Sequence, residues 1–381
     1  MSHALAPRDD LDRRIDALLS GPQYALGATE KRAVLLPILC EQCRRMAESC
    51  LEYGRFLDRL GRPPDSWHDL ADIPPLPVAM FKRFLLRAVP EETIVRELLS
   101  SATTSQQPSR IPLDKATAFR QSRAAVSILK DHIGSRRRPL LVLDAPEATA
   151  AGARLGARGA AIRAVGNFAS ETVYALRPAA EGRFEPDWDA IDRFFGAHAG
   201  APVLVFGMTF IVWTGFVLPA ERRGVRFGAA EATLLHSGGW KRLSAEAVSK
   251  DEFNRRAAGV LGCPTARILD FYGMVEQVGT IFVDCPAGNK HPPAFAEVIL
   301  RRAGSLEPVE VGQTGLVEVL SILPGSYPGQ AILTEDLAEL RGIDDCPCGR
   351  LGTSFRFAGR IERAEPRGCG DVLGGAKSAK A

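Results

Sequence analysis

The stretch DFYGMVEQ, residues 270–277, places an aromatic ring before a glycine turn and a carboxylate three residues after the glycine. The ring of Tyr272 could stack on a nucleotide base, and Glu276 offers the oxygen ligand that a hard cation such as Mg²⁺ prefers. The same pattern is structural in most proteins when it occurs alone. Its meaning therefore depends on the other polar segments of the chain and on their order.

Two more segments carry groups that suit a nucleotide. Residues 236–241, HSGGWK, follow an apolar run, and the adjacent Gly238 and Gly239 leave backbone uncovered for contact with a flat ring. Residues 333–340, LTEDLAEL, contain Asp336, whose carboxylate could accept hydrogen bonds from ribose hydroxyls. Each pattern is weak by itself, so the order of the segments carries the argument.

Residues 100–110, SSATTSQQPSR, have the hydroxyls and the cation expected of a loop that wraps a phosphate. The segment has no glycine, although phosphate loops usually rely on glycine to bring backbone N–H groups close to the anion. The residues alone leave two interpretations open. The segment is a nucleotide loop of altered geometry, or it is a polar linker.

Hydrophobic periodicity divides the chain into helical and extended segments. The expected helices are residues 11–19, 29–60, 114–133 and 187–198, and the expected strands are residues 139–146, 202–206, 232–239, 296–302, 315–323 and 330–340. Residues 147–161 could be helical or loop. Strands that alternate with helices predict an α/β fold of layered, mainly parallel sheets with flanking helices and a smaller β-rich subdomain. The expected division is a core at 1–280, the subdomain at 281–358, and a hinge remnant with a tail at 359–381.

The composition is that of an ordinary soluble protein. The chain has 381 residues, 46% of them hydrophobic and 24% charged, and its net charge of +3 is too small for a nucleic-acid groove. Residues 201–219 approach the length of a membrane span, but they contain glycines and lie between prolines, so a buried strand followed by a buried helix is expected. The charged N-terminus predicts no secretory signal, and eight cysteines then indicate a reducing, cytoplasmic location.

The order of the four polar segments resembles the adenylate-forming superfamily, which includes acyl-CoA synthetases and luciferases. In that superfamily a phosphate loop, a Gly-Gly adenine strand, a Tyr-Gly-x-x-Glu motif and a Thr-x-Asp motif precede a Gly-Arg hinge, and Gly359 and Arg360 in FAGRIER stand at the hinge position. The segments PVAMFKRFLL, SYPGQAILTEDLAEL, CPCGR and AEPRGCGD look like the bacterial bioluminescence acyl-protein synthetase group, which neighbours phenylacetate–CoA ligases. The resemblance covers about residues 30 to 372.

The resemblance implies that the protein uses ATP and Mg²⁺ to activate a fatty or aryl carboxylic acid to an acyl-adenylate, and then transfers the acyl group to a thiol. It assigns phosphate contacts to Ser101, Thr103, Thr104 and Ser105, adenine contacts to Ser237, Gly238, Gly239, Tyr272 and Gly273, ribose contacts to Asp336 and Arg360, and the cation to Glu276. The same resemblance implies the large domain of this superfamily, and the short stretch after Arg360 leaves little or no C-terminal lid.

The sequence departs from the superfamily pattern in two places. Ala102 and Ser105 stand where the phosphate loop would have glycines. About twenty residues follow Arg360, which are too few for the lid that usually carries a catalytic lysine. Lys241 is the alternative cation, as a phosphate neutraliser or as a plain surface lysine.

The segment AEPRGCGD suggests the thiol. In the group that the chain resembles, the acyl group rests on a cysteine near the C-terminus, and Cys369 matches that position. Glycines on both sides permit close approach, and Arg367 favours the reactive thiolate. An acyl reductase or acyltransferase would then receive the acyl group. Two alternatives stay open: coenzyme A is the acceptor, or the protein is a catalytically degenerate binding subunit.

Two cysteine-containing turns could form a second site. The segments DCPAGNKH and DCPCGR contain Cys285, His291, Cys346 and Cys348, a ligand set of the Cys₃His type found in structural Zn²⁺ sites. The Cys-x-Cys spacing is tighter than that of the usual zinc motifs. A redox pair or simple packing is the alternative.

Overall fold

Parallel strands alternate with helices through the middle of the chain, and antiparallel strands follow them. The computed structural model describes residues 9–100, 108–149, 154–179, 184–240 and 247–361. These residues group into two units, the first from 9–97, 109–131 and 276–361, and the second from the described parts of 98–108 and 132–275. The division of the chain into consecutive parts at residues 280 and 358 stays a prediction.

The described residues form ten α-helices and sixteen strands. The helices are α1 (Asp10–Ser20), α2 (Ala28–Ser49), α3 (Leu51–Leu60), α4 (Met80–Arg83), α5 (Lys115–Ile133), α6 (Ala157–Gly166), α7 (Trp188–Ala197), α8 (Thr209–Val212), α9 (Leu218–Arg223) and α10 (Lys250–Leu261). The strands are β1 (Leu76–Pro77), β2 (Ile94–Leu99), β3 (Arg110–Asp114), β4 (Arg138–Val142), β5 (Arg154–Gly156), β6 (Ala169–Tyr174), β7 (Leu176–Pro178), β8 (Phe184–Pro186), β9 (Leu204–Met208), β10 (Thr233–Ser237), β11 (Ile268–Tyr272), β12 (Phe282–Val283), β13 (Ala296–Arg301), β14 (Thr314–Ser321), β15 (Ala331–Ile343) and β16 (Thr353–Arg360).

The second unit is built on parallel strands in the order β11-β10-β9-β4-β6. Every residue of β9 and β10 is buried. Because helices cover both faces of such a sheet, its strands read as continuous apolar runs rather than as alternating ones, and this is why the sequence predicts them correctly. The parallel α/β architecture is confirmed.

The apolar segment at residues 201–219 is a buried strand followed by a buried helix, as expected. Strand β9 leads into α8, and a π-helical turn, Trp213–Val217, joins α8 to α9. Trp213 stacks on Phe253 of α10 with 5.8 Å between ring centroids. None of the helices in the described ranges combines the length and the apolar composition that crossing a membrane requires.

The first unit contains the β-rich part of the chain. Strands β13, β14, β15 and β16 pair in antiparallel fashion, and β1 adds a short parallel pairing to β15. Val298, Val319 and Ile332 lie side by side across three of the strands and are buried. A buried ion pair joins Arg301 to Glu318 at 2.5 Å, and burial raises the pKa of Glu318 to about 7 despite the opposing effect of Arg301.

The N-terminal helices attach to this sheet through buried polar groups. Lys31 of α2 donates to the carbonyl of Pro292 at 2.9 Å and pairs with Glu297 at 3.5 Å. Gln42 donates to the carbonyl of Ile322 at 2.9 Å. A lysine that is 1% exposed is tolerated only with such partners, so these contacts fix α2 on the sheet.

Two expectations for the elements need correction. The helix expected at residues 29–60 is two helices, because the backbone at Cys50 is extended and Gly54 of α3 packs against the Ala47 carbonyl, where a Cβ would come within 2.7 Å. Residues 147–161 were expected to be helix or loop, yet they include the three-residue strand β5 before α6 begins. Both features depend on neighbouring elements rather than on local periodicity.

Candidate functional site

The segment predicted to contact adenine, residues 237–239, lies at the carboxyl end of β10, where ligands bind in open parallel sheets. Gly238 follows the strand with φ +91°, and a Cβ there would come within 3.0 Å of the Met208 side chain. The backbone conformation therefore disfavours a side chain at Gly238, while the contact with the flexible end of Met208 is one that a small shift of that side chain relieves. At Gly239 nothing lies within 4 Å of the Cβ position, so that glycine meets no packing constraint from the described residues.

Aromatic and polar side chains lie on β10, which precedes Gly238, and on its neighbours β9 and β11. Phe206 of β9 stacks on Phe271 of β11 with 6.3 Å between centroids. On the other face of the sheet the Nδ1 atom of His236 lies 3.0 Å from the Thr209 hydroxyl and 4.0 Å from an Asp270 carboxylate oxygen. Sequence reasoning did not single out this polar group. The one indication of this group in the sequence is that polar residues occur within apolar strand segments.

Glu276 lies in a short 3₁₀ turn, Val275–Gln277, that begins the last stretch of the first unit. The side chain is buried, and burial raises the pKa of its carboxyl above the ordinary value. The negative charge of Asp336 acts in the same direction, while a hydrogen bond from Ser109 and the positive charge of Arg360 lower the pKa. Ionisation of this buried carboxyl is therefore favoured only by neighbouring positive charge or hydrogen-bond donors.

Asp336 and Arg360 face each other across β15 and β16. The two residues are register partners, and the Arg360 Nε donates to the Asp336 Oδ1 at 2.6 Å. The Thr334 hydroxyl accepts from the Asp336 amide at 3.1 Å and donates to the Val317 carbonyl at 2.8 Å. The first unit therefore brings Glu276, Asp336 and Arg360 into one electrostatic group, although they are far apart in sequence.

A tight backbone contact fixes the turn that follows Glu276. Gly279 has φ +90°, and a Cβ there would come within 2.6 Å of the Gln121 carbonyl oxygen in α5. Two residues before it, the Gln277 side chain donates to the Gly329 carbonyl at 2.5 Å. One residue after it, Thr280 shares a hydrogen bond of 3.0 Å with Ser321 of β14.

The four residues of the second predicted site lie together in the first unit. The ligand atoms of Cys285, His291, Cys346 and Cys348 are all within 4.8 Å of one another. The sulfurs of Cys285 and Cys346 are 3.9 Å apart, and the Cys348 sulfur is 3.5 Å from the His291 Nε2. A tetrahedral Zn²⁺ with Zn–S bonds of about 2.3 Å places its sulfurs about 3.8 Å apart, so the spacing fits this ion.

The protonation states of His291 and Cys346 suit a metal, whereas burial raises the pKa of the Cys348 thiol to about 12, so this thiol would lose its proton only on binding. Burial, with the positive charges of Arg350 and Lys31, lowers the pKa of His291 to about 4, so the imidazole is neutral and able to bind. Burial opposes ionisation of Cys346, but hydrogen bonds from the Cys348 backbone and from Asn289 lower the pKa of its thiol. Metal binding requires these forms, a neutral imidazole and thiolates.

The turn that carries Cys346 and Cys348 also holds the N-terminal segment. The Arg350 guanidinium lies 4.4 Å from the centre of the Tyr24 ring, and the Leu351 amide donates to the Tyr24 carbonyl at 3.1 Å. The Asp344 carboxylate accepts from the Ala28 amide at 3.1 Å at the start of α2. The cluster therefore lies where the two ends of the first unit meet.

Several predicted residues lie outside the described part of the chain. They are Ser101, Thr103, Thr104 and Ser105 of the phosphate loop, Lys241 of HSGGWK, and Cys369 near the C-terminus. Their roles stay predictions.

The fold is that of an adenylate-forming ligase. An open conformation of 2-hydroxyisobutyryl-CoA ligase, in complex with 2-HIB-AMP and CoA, matches 94% of this chain and 75% of its own with a TM-score of 0.68 and 16% identity. The same ligase in the postadenylation state, in complex with R3-HIB-AMP, matches 94% of this chain and 72% of its own, also with a TM-score of 0.68 and 16% identity.

Within that class, the family model described as acyl-protein synthetase, LuxE, matches residues 9–377. The chain belongs to the LuxE acyl-protein synthetase family and is an adenylate-forming enzyme of that family. It is similar to the long-chain-fatty-acid–luciferin-component ligase of Vibrio harveyi, with 23% identity over 339 residues that cover 86% of this chain and 84% of that protein.

The close contact between Gly279 and α5 can be tested by a substitution that adds a side chain at this glycine. Gly279→Ala should lower the free energy of unfolding by about 2–4 kcal/mol, because positive φ costs about 1–2 kcal/mol and the overlap with the Gln121 backbone adds to it. Denaturant unfolding measures the change. Gly304→Ala is the matched control, since Gly304 has φ +95° with nothing within 4 Å of its Cβ position. Equal losses in the two variants would contradict the packing argument.

Proposed function

We propose that the protein activates a fatty or aryl carboxylic acid with ATP and passes the acyl group to its own Cys369. Membership in the acyl-protein synthetase family supports acid activation with acyl transfer. The observation that carries the nucleotide part is the group formed by Glu276, Asp336 and Arg360.

The buried carboxylate fits the cation that ATP chemistry uses. Burial raises the pKa of Glu276, so a divalent ion would favour its ionised form, and carboxylate oxygen is the donor that Mg²⁺ prefers. Glu276 would hold Mg²⁺, which supplies positive charge for the phosphate oxygens. The Asp336 carboxylate would accept hydrogen bonds from the ribose hydroxyls, beside Arg360.

The reaction has two steps in this proposal. A carboxylate oxygen of the acid attacks the α-phosphorus of ATP, and the bond to pyrophosphate breaks, which gives the acyl-adenylate. The Cys369 thiolate then attacks the acyl carbonyl carbon, and AMP leaves with the electron pair of the broken C–O bond. The acid would lie in the second unit beside Phe206, Met208, Phe210 and Met274, with Gly238, Gly239 and Tyr272 next to the adenine.

The proposal also includes a location for the protein and an acceptor for the acyl group. None of the seven cysteines in the described part of the chain forms a disulfide, which supports a cytoplasmic location. An acyl reductase or acyltransferase would take the acyl group from Cys369. Coenzyme A as the acceptor is the alternative for the second step.

Exchange of labelled pyrophosphate into ATP, dependent on added acid, tests the first step. Glu276→Gln should lower the exchange rate by about 100-fold, equivalent to about 2.7 kcal/mol, because a neutral amide holds Mg²⁺ poorly. Glu307→Gln, at an exposed glutamate of the same unit, should leave the rate unchanged. Exchange that survives in Glu276→Gln would remove this residue from cation binding. An absence of exchange with every acid tried would favour the degenerate binding subunit.

The mass of the intact protein tests the second step. After incubation with ATP, Mg²⁺ and a panel of fatty and aromatic acids, we expect an acyl-sized increment that neutral hydroxylamine removes. Cys369→Ser should abolish the increment, while Cys263→Ser should keep it, because burial raises the pKa of the Cys263 thiol to about 11 and makes it unreactive. An increment that persists in Cys369→Ser, or acyl-CoA formed in its place when coenzyme A is added, would contradict transfer to Cys369.

We also propose that Cys285, His291, Cys346 and Cys348 hold a structural Zn²⁺. The support is a closed set of four ligands at tetrahedral spacing, with the metal-binding protonation state favoured at His291. Four protein ligands leave no open position for a substrate. The ion would therefore stabilise the two turns rather than take part in the reaction.

Metal analysis of protein purified without chelators should find about one zinc per chain. Removal of the ion should lower Tm by about 10 °C, because a tightly bound ion contributes several kcal/mol to folding. Cys346→Ser should lose the zinc, and Cys40→Ser, at a free cysteine of α2, should retain it. A disulfide between Cys285 and Cys346 in metal-free protein with unchanged Tm would instead support a redox pair.

A further inference from the structure

We propose that Tyr327 is a positioning residue that holds Glu276 in the orientation for cation binding. The inference rests on the proposed role of Glu276. The Tyr327 hydroxyl donates to the backbone carbonyl of Glu276 at 2.8 Å and accepts from the Gln121 side chain at 3.2 Å. The contact is to the backbone of the same residue whose carboxylate would bind the ion.

The main polar role of the Tyr327 side chain is this hydrogen bond to Glu276. Its side chain is fully buried, and its ring packs edge-on against Phe81 with 6.1 Å between centroids. Burial and the nearby charge of Glu276 both raise the pKa of the phenol, so the group is a neutral hydroxyl donor throughout the working pH range. The two contacts of that hydroxyl are to Glu276 and Gln121.

Close packing and hydrogen bonds hold the loop that carries Tyr327. A Cβ at Gly329 would come within 2.5 Å of the Tyr327 ring and 2.9 Å of Pro324, so only glycine fits beneath the ring. The Ser326 hydroxyl donates to the Pro112 carbonyl at 2.8 Å, and the Gln330 side chain donates to the Pro324 carbonyl at 2.8 Å. The tyrosine therefore has a fixed place from which to hold the turn.

The turn is tied to this loop at two consecutive residues. The Glu276 carbonyl accepts from Tyr327, and the Gln277 side chain donates to the Gly329 carbonyl. Two such ties restrict both displacement and rotation of the 275–277 turn, which a single hydrogen bond could not do. Removal of the hydroxyl leaves a buried carbonyl without its donor, so the turn would shift to recover a partner and carry the carboxylate with it.

Binding of a non-hydrolysable ATP analogue, with Mn²⁺ and without metal, tests the inference by titration calorimetry. Tyr327→Phe keeps the ring contact with Phe81 and removes only the hydroxyl. We expect its affinity for the Mn²⁺ complex to fall about tenfold, at the lower end of the effect of groups that orient metal ligands, while binding of the metal-free analogue is unchanged.

Tyr53→Phe is the matched control, since Tyr53 is a buried tyrosine of the same unit whose hydroxyl bonds to the Cys43 thiol. Both variants should show a similar fall in the free energy of unfolding. Only Tyr327→Phe should lose the gain from Mn²⁺, which is the increase in affinity for the analogue when Mn²⁺ is present. A purely structural role would lower Tm without changing the ratio of the two affinities.

The outcomes separate this inference from the proposed function. If Glu276→Gln loses the gain from Mn²⁺ and Tyr327→Phe keeps it, the positioning role is wrong and the function stands. If the unaltered protein binds the analogue equally with and without Mn²⁺, the cation role of Glu276 fails and the inference fails with it. If Tyr327→Phe does not fold, Gln121→Met decides, because it removes the amide that orients the hydroxyl. An unchanged Mn²⁺ gain in that variant would overturn the inference.

Discussion

The buried carboxylate of Glu276 is the constraint on which the first unit depends. An acidic group away from water is costly unless charges or hydrogen bonds compensate it. The unit supplies Ser109 and Arg360 as compensating groups, but it also places Asp336 nearby, which increases the cost. The net result is a raised pKa. In the proposed function, a bound cation would compensate the ionised carboxylate, and the site would then trade stability for function.

The rest of the first unit offsets this cost away from the site. Buried ion pairs and side-chain contacts to backbone carbonyls attach α2 to the β-rich sheet, with Lys31 and Gln42 as the main anchors. The cysteine cluster lies at the same junction, where its turn holds Tyr24. The stabilising groups and the residues predicted to contact the nucleotide thus occupy different parts of one unit, and a change in one set need not disturb the other.

The features that could be predicted from the sequence are those that depend on the local pattern of residues and on the order of motifs. Strands β9 and β10 were identifiable as continuous apolar runs, and the resemblance identified Glu276, Asp336 and Arg360, which the fold places in one electrostatic group. The groups that serve these residues were not identifiable. Ser109, Gln121 and Tyr327 are separated by long stretches of chain, and only tertiary packing brings them to Glu276. The break at Cys50 was missed for a different reason, because helical periodicity continues on both sides of the single extended residue.

The first unit is assembled from three separate stretches, and the second unit is encoded between them. Lys31 finds its carbonyl partner at Pro292, so 261 residues must be added by the ribosome after the lysine before the contact can form. At a synthesis rate of about 5–20 residues per second, this delay is about 13–50 s. During that time α2 is made without the sheet to which Lys31 and Gln42 attach it. The first unit is therefore completed late in synthesis, whereas the parallel sheet of the second unit can form from one nearly continuous stretch.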